Sequence, residues 1–132
     1  MKTEFFMQMN PPTSTHQEKK VRVVNGKPLF YEPDELKTAR QKLIAYLSQH
    51  APHKPYTGKV RLIVMWFFRG SAKNNGQYRT TKPDLDNLMK LLQDCMTACK
   101  FWIDDSQIVG LMTEKRWSDK PGIYISIEDD FE

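Results

Sequence analysis

Two acidic pairs bracket one apolar stretch of the sequence. Asp84 and Asp86 are separated by a single residue at its start, and Asp104 and Asp105 are adjacent at its end. Carboxylates that converge repel one another, and they stay together only where a cation offsets their charge. Hard divalent ions such as Mg²⁺ take oxygen ligands from Asp side chains and keep water molecules for chemistry. The two pairs therefore indicate a divalent-metal site, and Lys90 lies one helical turn beyond Asp86 on the same face.

The first acidic pair also has a purely structural interpretation. Pro33 and Pro83 each precede an Asp, Asp34 and Asp84, and an Asp in that position is typical of a helix N-cap. Carboxylates in a first helical turn also favour the positive end of the helix dipole. The metal site is favoured because a basic residue and a second acidic pair, which follows directly on two aromatic residues, accompany the first pair.

Residues 82–108 resemble a known family. DLDNLMK, then a helix, then FWIDDSQI closely match the signature of RusA-type Holliday junction resolvases, which are structure-specific endodeoxyribonucleases. A weaker match is the Asn-Pro-Pro-Thr segment at residues 10–13. Family members often carry a denser arginine cluster just before the first Asp, where residues 78–83 of this chain are less basic.

The resemblance implies a set of roles for the residues of the motif. Its essential carboxylates fall on Asp84, Asp86 and Asp105, and its essential lysine falls on Lys90. It also implies a homodimer that cuts a branched DNA junction symmetrically in two strands of like polarity, in recombination and repair in a phage or prophage setting. We expect Mg²⁺, or Mn²⁺ in its place, to orient a water molecule, lower its pKa and stabilise charge on the phosphate oxygens.

Two other function classes fit parts of the sequence. A non-catalytic protein that binds branched DNA would gain nothing from carboxylates that face phosphate. Another Mg²⁺-dependent phosphoryl-transfer enzyme would be expected to carry a glycine-rich phosphate cradle, which the chain lacks.

Length and composition indicate one globular domain, residues 1–132. The chain has a mass of 15.5 kDa, is 39% hydrophobic and 27% charged, and has no apolar run near the roughly 20 residues that span a bilayer. The N-terminus has too short an apolar core for a signal peptide, so we expect a cytoplasmic protein. No small-molecule cofactor is expected. Cys95 and Cys99 lie one helical turn apart and are expected to be reduced core residues.

The net charge of +4 is unevenly distributed along the chain. Two basic segments, residues 19–27 and 69–82, contain no acidic residue. The acidic residues concentrate at the predicted metal site and in the C-terminal tail, residues 128–132. Such segregation favours a polyanion bound beside an acidic metal site, although solvated basic loops are the alternative. The candidate DNA-binding residues are Lys19, Lys20, Arg22, Lys27, Arg69, Lys73, Arg79, Lys82 and Lys115.

The elements that position these residues follow from periodicity and turn signals. Helical spacing predicts an amphipathic helix from Asp84 to about Lys100, with Asp34 to about Gln49 as an earlier helix. The remaining pattern predicts strands at residues 3–9, 57–69, 107–117 and 122–128, a hairpin about Asn25 and Gly26, and a mobile loop at residues 70–81. The continuous apolar run at residues 62–68 predicts that the second of these strands is covered on both faces. The order indicates a mixed sheet with two main helices packed on it, an α+β or α/β fold.

A distance argument predicts that two copies share each site. A helix from Asp86 to about Lys100 is roughly 21 Å long, and the extended chain from there to Asp105 covers at most about 17 Å. Asp105 can therefore hardly return to the first pair within one chain. If the helix packs antiparallel against its own copy, each Asp104-Asp105 end lies beside the first pair of the partner.

Overall fold

The computed structural model describes residues 1–15, 20–31 and 33–132. Two helices lie on one face of a four-stranded mixed sheet, and a separate two-stranded hairpin follows the first strand. The predicted α+β class is therefore confirmed. The elements are β1 (Lys2–Met7), β2 (Lys20–Val24), β3 (Lys27–Tyr31), α1 (Asp34–Ser48), β4 (Val60–Arg69), α2 (Leu85–Ala98), a 3₁₀ helix (Asp105–Gln107), β5 (Ile108–Ser118) and β6 (Gly122–Glu128).

The sheet has the strand order β1-β6-β4-β5. The β4 and β5 strands are parallel, whereas β6 is antiparallel to both β1 and β4. The α2 helix is the crossover between the two parallel strands, as parallel neighbours require. This topology places β5 at an edge of the sheet, directly after the second acidic pair.

The core lies between the helices and the face of the sheet that they cover. Along β4, alternate residues from Val60 to Phe68 are at most 3% exposed, as the period of two in a strand requires. The residues between them, such as Ile63 and Met65, are only half-buried. The prediction that β4 is covered on both faces is therefore wrong, because both helices lie on the same side of the sheet.

The α2 helix buries its predicted apolar stripe within its own chain. Its buried residues are Leu88, Met89, Leu91, Leu92, Cys95 and Met96. Cys95 and Cys99 are not in a disulfide, their thiols contact carbonyl groups of α1, and burial raises the pKa of Cys99. The exposed side of the helix is polar, with Asp86 and Lys90 on it.

The end of α2 is fixed by a Schellman motif. Lys100 adopts a left-handed φ of 66°, and its N–H donates to the Thr97 carbonyl at 3.1 Å. The N–H of Phe101 donates to the Met96 carbonyl, also at 3.1 Å, and both of these side chains are buried. The chain therefore turns sharply at Lys100 and leaves the helix axis there.

The glycine- and asparagine-rich segment at residues 70–81 is docked on the edge of β5. The N–H of Trp117 donates to the Gln77 carbonyl, and the N–H of Arg79 donates to the Lys115 carbonyl. The Arg116 guanidinium stacks 4.0 Å from the Tyr78 ring centre. The prediction of a mobile loop therefore missed its attachment, because the partners lie far away in the sequence.

No helix in the described part of the chain is long and apolar enough to cross a membrane.

Candidate metal-binding active site

Asp84 and Asp86 lie at the start of α2, with both side chains exposed. Asp84 occupies the N-cap position, as predicted, but its carboxylate makes no capping hydrogen bond. The same holds at α1, where Pro33 rather than Asp34 is the N-cap residue and no side chain caps the helix. The capping role expected for these aspartates is therefore wrong, and the Asp84 carboxylate is left available for a ligand.

Lys115 holds the turn that leads into Asp84. Its ammonium donates to the Thr81 carbonyl at 2.5 Å and to the Pro83 carbonyl at 2.7 Å. Burial lowers the pKa of Lys115, the nearby Arg79 charge lowers it further, and the Asp84 carboxylate opposes both effects. Lys115 therefore lies close to Asp84 and is anchored by two backbone oxygens.

Arg79 also binds the turn before Asp84. Its guanidinium lies between the rings of Phe68 and Trp117, 4.3 Å and 4.5 Å from their centres. It donates to the Lys82 carbonyl at 2.5 Å and to the Thr81 hydroxyl at 3.2 Å, and burial lowers its pKa. We call Arg79 and Lys115 the turn clamp, since together they fix residues 81–83.

The second acidic pair lies at the start of the 3₁₀ helix. Asp104 is its N-cap, and its carboxylate accepts from the Ser106 N–H at 2.9 Å. Hydrogen bonds from Ser106 lower the pKa of Asp104, so Asp104 is the capping residue of this helix. The Asp105 side chain is half-exposed, and no described residue donates a hydrogen bond to it.

Gln107 positions this short helix, a role that was not predicted from the sequence. Its amide oxygen accepts from the N–H groups of Ile103 and Asp104, at 2.9 Å and 3.0 Å. Its amide nitrogen donates to the carbonyls of Tyr56 and Gly58, both at 2.8 Å. An Asp followed three residues later by Gln is a capping-box signal, so the sequence did contain a sign of this role.

The two acidic pairs lie at opposite ends of α2 within one chain. The helix of 14 residues is about 21 Å long. The indole of Trp102 donates to Thr97 at 2.7 Å, and the Phe101 carbonyl accepts from Tyr56, which ties the second pair to the far end. In the part of the chain that the structure describes, no three His, Cys, Asp or Glu side chains form a group that would hold a metal ion.

Lys90 lies on the exposed side of α2, one turn after Asp86. Its ammonium pairs with Asp94 at 3.4 Å, an i,i+4 contact with the Lys90 side chain 59% exposed. Exposed pairs of this kind stabilise a helix by only a few tenths of a kcal/mol. Lys90 therefore remains available to a phosphate group that approaches Asp86.

The candidate DNA-binding residues divide into several groups. Lys27, Arg69, Lys73 and Lys82 are exposed. Arg79 and Lys115 are partly buried and engage backbone oxygens. Lys20 and Arg22 lie on β2, and Lys19 lies outside the described residues.

Comparison with known proteins identifies the class of the chain. The sequence model of the family described as endodeoxyribonuclease RusA matches residues 10–128. This chain belongs to the RusA endodeoxyribonuclease family, as its motif had suggested.

Two relatives place the chain more closely. It is 38% identical over 132 residues to the crossover junction endodeoxyribonuclease rusA of Lactococcus phage r1t, covering 98% of this chain and 99% of the phage protein. It is also 30% identical over 117 residues to the uncharacterized protein YqaN of Bacillus subtilis strain 168, covering 80% of this chain and 82% of that protein.

Proposed function

We propose that this protein is a metal-dependent endodeoxyribonuclease that resolves four-way DNA junctions by paired phosphodiester hydrolysis. The observation that carries the proposal is the exposed pair of Asp84 and Asp86, which follows the turn that the turn clamp fixes. The Asp84 carboxylate makes no capping hydrogen bond to the helix. Family membership and the name of the phage relative support the reaction and the junction substrate.

The donor chemistry of the site fits a hard divalent ion, and we propose Mg²⁺, with Mn²⁺ able to replace it. Asp84, Asp86 and Asp105 would hold it through carboxylate oxygens. When bound, such an ion activates water and stabilises negative charge on the phosphate oxygens. Lys90 adds a positive charge where the leaving oxygen gains electrons.

The three carboxylates belong to two chains in this proposal. Because Asp105 is held at the far end of α2, it reaches Asp84 and Asp86 only from a second copy. A two-fold dimer then forms two equivalent sites, which suits a junction that needs two symmetric cuts. However, the apolar stripe of α2 is buried in its own chain, so the expected antiparallel α2 contact has no apolar surface of its own.

Exposed basic residues extend this site towards a polyanion. Lys27, Arg69, Lys73 and Lys82 present positive charge without a described acidic partner. We propose that they contact DNA phosphates, together with Lys19, Lys20 and Arg22, and that the reaction takes place in the cytoplasm. Phosphate contacts of this kind make binding strongly dependent on salt.

The test is cleavage of a synthetic four-way junction, compared with flap, duplex and single-stranded DNA, with and without Mg²⁺. Wild-type protein should cut the junction in two strands of like polarity only when the ion is present. Asp86→Asn should bind the junction but not cut it, whereas Asp119→Asn, an exposed aspartate in the β5–β6 turn, should cut normally. Undiminished cutting by Asp86→Asn would remove the proposed role, and tight binding without any product from wild-type protein would favour a non-catalytic junction binder.

A further inference from the structure

Tyr78 is an exposed aromatic residue beside the candidate metal site. Its side chain is 58% exposed, although it belongs to the segment that is docked on β5. Among the residues whose side chains the structure describes, Phe6 is the other exposed aromatic residue. Phe6 lies on β1, at the opposite edge of the sheet. Of these two rings, it is therefore Tyr78 that lies at the edge leading to Asp84.

The backbone of Tyr78 is fixed on both sides. On one side, the N–H of Arg79 donates to the Lys115 carbonyl at 3.0 Å. On the other side, the carbonyl of the preceding residue accepts from the N–H of Trp117 at 2.9 Å. Tyr78 therefore lies opposite Arg116 in an antiparallel bridge. Because Lys115 is part of the turn clamp, this pairing also ties Tyr78 to the turn before the first acidic pair.

Arg116 holds the side chain of Tyr78 as well. Its guanidinium lies 4.0 Å from the centre of the Tyr78 ring, and its Nη2 donates to the Tyr78 hydroxyl at 2.8 Å. The same guanidinium donates to the Gly76 carbonyl at 2.9 Å and to the Glu114 carboxylate at 3.2 Å. One face of the ring is therefore covered by a fixed positive group, while more than half of the side chain stays open to solvent. A ring held in this way loses little conformational entropy when a flat group stacks on it.

The surface around Tyr78 is basic. Lys73 lies in the same segment, Arg69 and Lys82 flank it, and all three side chains are exposed. No acidic residue lies between positions 69 and 83. Single-stranded nucleic acids bind where positive groups follow the backbone and aromatic rings stack on the bases. The surroundings of Tyr78 therefore fit an unpaired nucleobase whose neighbouring phosphates contact these cations.

Tyr78 is close enough to the first acidic pair to contact the same DNA strand. Asp84 is six residues further along the chain, so their Cα atoms are at most about 21 Å apart. The actual span is shorter, because the Arg79 side chain folds back and donates to the Lys82 carbonyl. At 3.4 Å of helix axis per nucleotide, a base on Tyr78 lies no more than about six nucleotides from a phosphate at Asp84.

We propose that Tyr78 stacks on an unpaired base at the branch point of the DNA and thereby favours junctions over duplex. In a continuous duplex each base already stacks on two neighbours, and separating them costs free energy. At a branch point the stack is interrupted, so a base becomes available at a lower cost. Tyr78 is then a specificity-determining residue. This inference rests on the proposed function, because it assigns the residue that selects the branched substrate.

The test compares Tyr78→Leu with Tyr78→Phe in binding assays without metal, so that the DNA stays intact. Leucine keeps an apolar side chain but has no aromatic face, whereas phenylalanine keeps the face and loses the hydroxyl. Tyr78→Leu should bind a four-way junction about 10-fold more weakly than wild-type protein, within the range that one base–aromatic stack contributes. Tyr78→Phe should bind the junction like wild-type protein, and both variants should bind duplex of equal length with unchanged affinity. Phe6→Leu, at the other exposed aromatic residue, is the matched control and should leave junction binding unchanged.

A fluorescent base analogue reports the stacking itself. The analogue 2-aminopurine is placed at each branch-point position in turn, and the junction is saturated with protein. Because a ring stacked on the analogue quenches it, its fluorescence should be lower with wild-type protein and Tyr78→Phe than with Tyr78→Leu at one of these positions. Saturation removes differences in affinity, so a merely structural role of Tyr78 would not change this signal. Tyr78→Met replaces the leucine variant if that variant does not unfold cooperatively.

Several results would overturn the stacking role. These are an unchanged junction affinity of Tyr78→Leu, an equal loss in Tyr78→Phe, an equal loss on duplex, and equal fluorescence at every position. In contrast, wild-type protein that stacks on the branch point but does not cut the junction with Mg²⁺ would overturn only the nuclease assignment.

Discussion

Replacement of Lys115 by methionine separates two possible roles of this residue. The sequence suggested that Lys115 contacts a DNA phosphate, whereas in the structure its ammonium is bound to the carbonyls of Thr81 and Pro83. Methionine keeps an apolar stem of similar length and removes both hydrogen bonds. The turn before Asp84 then loses half of its clamp.

The size of the effect follows from these contacts. A hydrogen bond from a charged donor contributes about 1.5–3 kcal/mol, and exposure reduces that contribution. The bond to Thr81 is exposed and the bond to Pro83 is partly buried, so we expect a loss of about 2 kcal/mol in the free energy of unfolding. A displacement of about 1 Å at a catalytic group can cost about 100-fold in rate, so cleavage should fall by about that factor.

Two readouts distinguish positioning from phosphate contact. If Lys115 positions Asp84, Lys115→Met should weaken the binding of Mn²⁺, measured by calorimetry, while the salt dependence of junction binding stays unchanged. If Lys115 contacts phosphate, the slope of log affinity against log salt should fall by about 1 while metal binding stays unchanged. The second result would refute the positioning role, and Lys120→Met, in the exposed β5–β6 turn, is the matched control.

Three further predictions concern the elements that carry the second acidic pair. Gln107→Ala loses four hydrogen bonds to the backbone, so urea unfolding should show that the free energy of unfolding falls by about 2–3 kcal/mol. Gln41→Ala, at an exposed position on α1, should show no such fall. Equal losses in the two variants would contradict the proposed role of Gln107. Lys100→Gly should raise the free energy of unfolding by about 1 kcal/mol, because glycine adopts the left-handed φ of 66° without strain. A variant that is less stable than wild-type protein in thermal unfolding would contradict this prediction. Hydrogen bonds from Ser106 lower the pKa of Asp104 below the ordinary value of 3.8. The Asp104 carboxylate therefore stabilises the fold fully above pH 3.8, and this contribution is lost as the pH falls through the lowered pKa. Compared with Asp104→Asn across an acid titration, wild-type protein should therefore lose its advantage at low pH, and a constant difference would contradict the assignment.

Local patterns predicted most of the fold. The alternation in β4, the helical spacing in α2 and the Asn25-Gly26 turn each depend on residues that are close in sequence, and all three elements formed where expected. Whether β4 is covered on one face or on both was not predictable in the same way. A continuous apolar run fits either a strand with two covered faces or one with a half-exposed face, and the position of the helices decides between them.

The residues of the site could be predicted from the sequence, but the contacts that hold them in position could not. The motif pointed to Asp84 and Asp86, yet the turn clamp joins Lys115 to residues 81–83, more than 30 positions away. No local rule detects such a contact, and a lysine in an edge strand is typical of a solvated face. Conversely, the role of Gln107 was detectable from its capping-box spacing to Asp104, which is a local signal.

Mixed dimers test most directly whether two chains share each metal site. Asp86→Asn and Asp105→Asn, each expected to be inactive alone, would be co-expressed with different tags, and the mixed dimer would be purified and given a four-way junction with Mg²⁺. If Asp105 acts on the partner's Asp84 and Asp86, one of the two sites regains all three carboxylates, and the mixed dimer should nick a single strand. If all three carboxylates come from one chain, both sites stay defective, and a mixed dimer with no nicking activity would contradict the shared site.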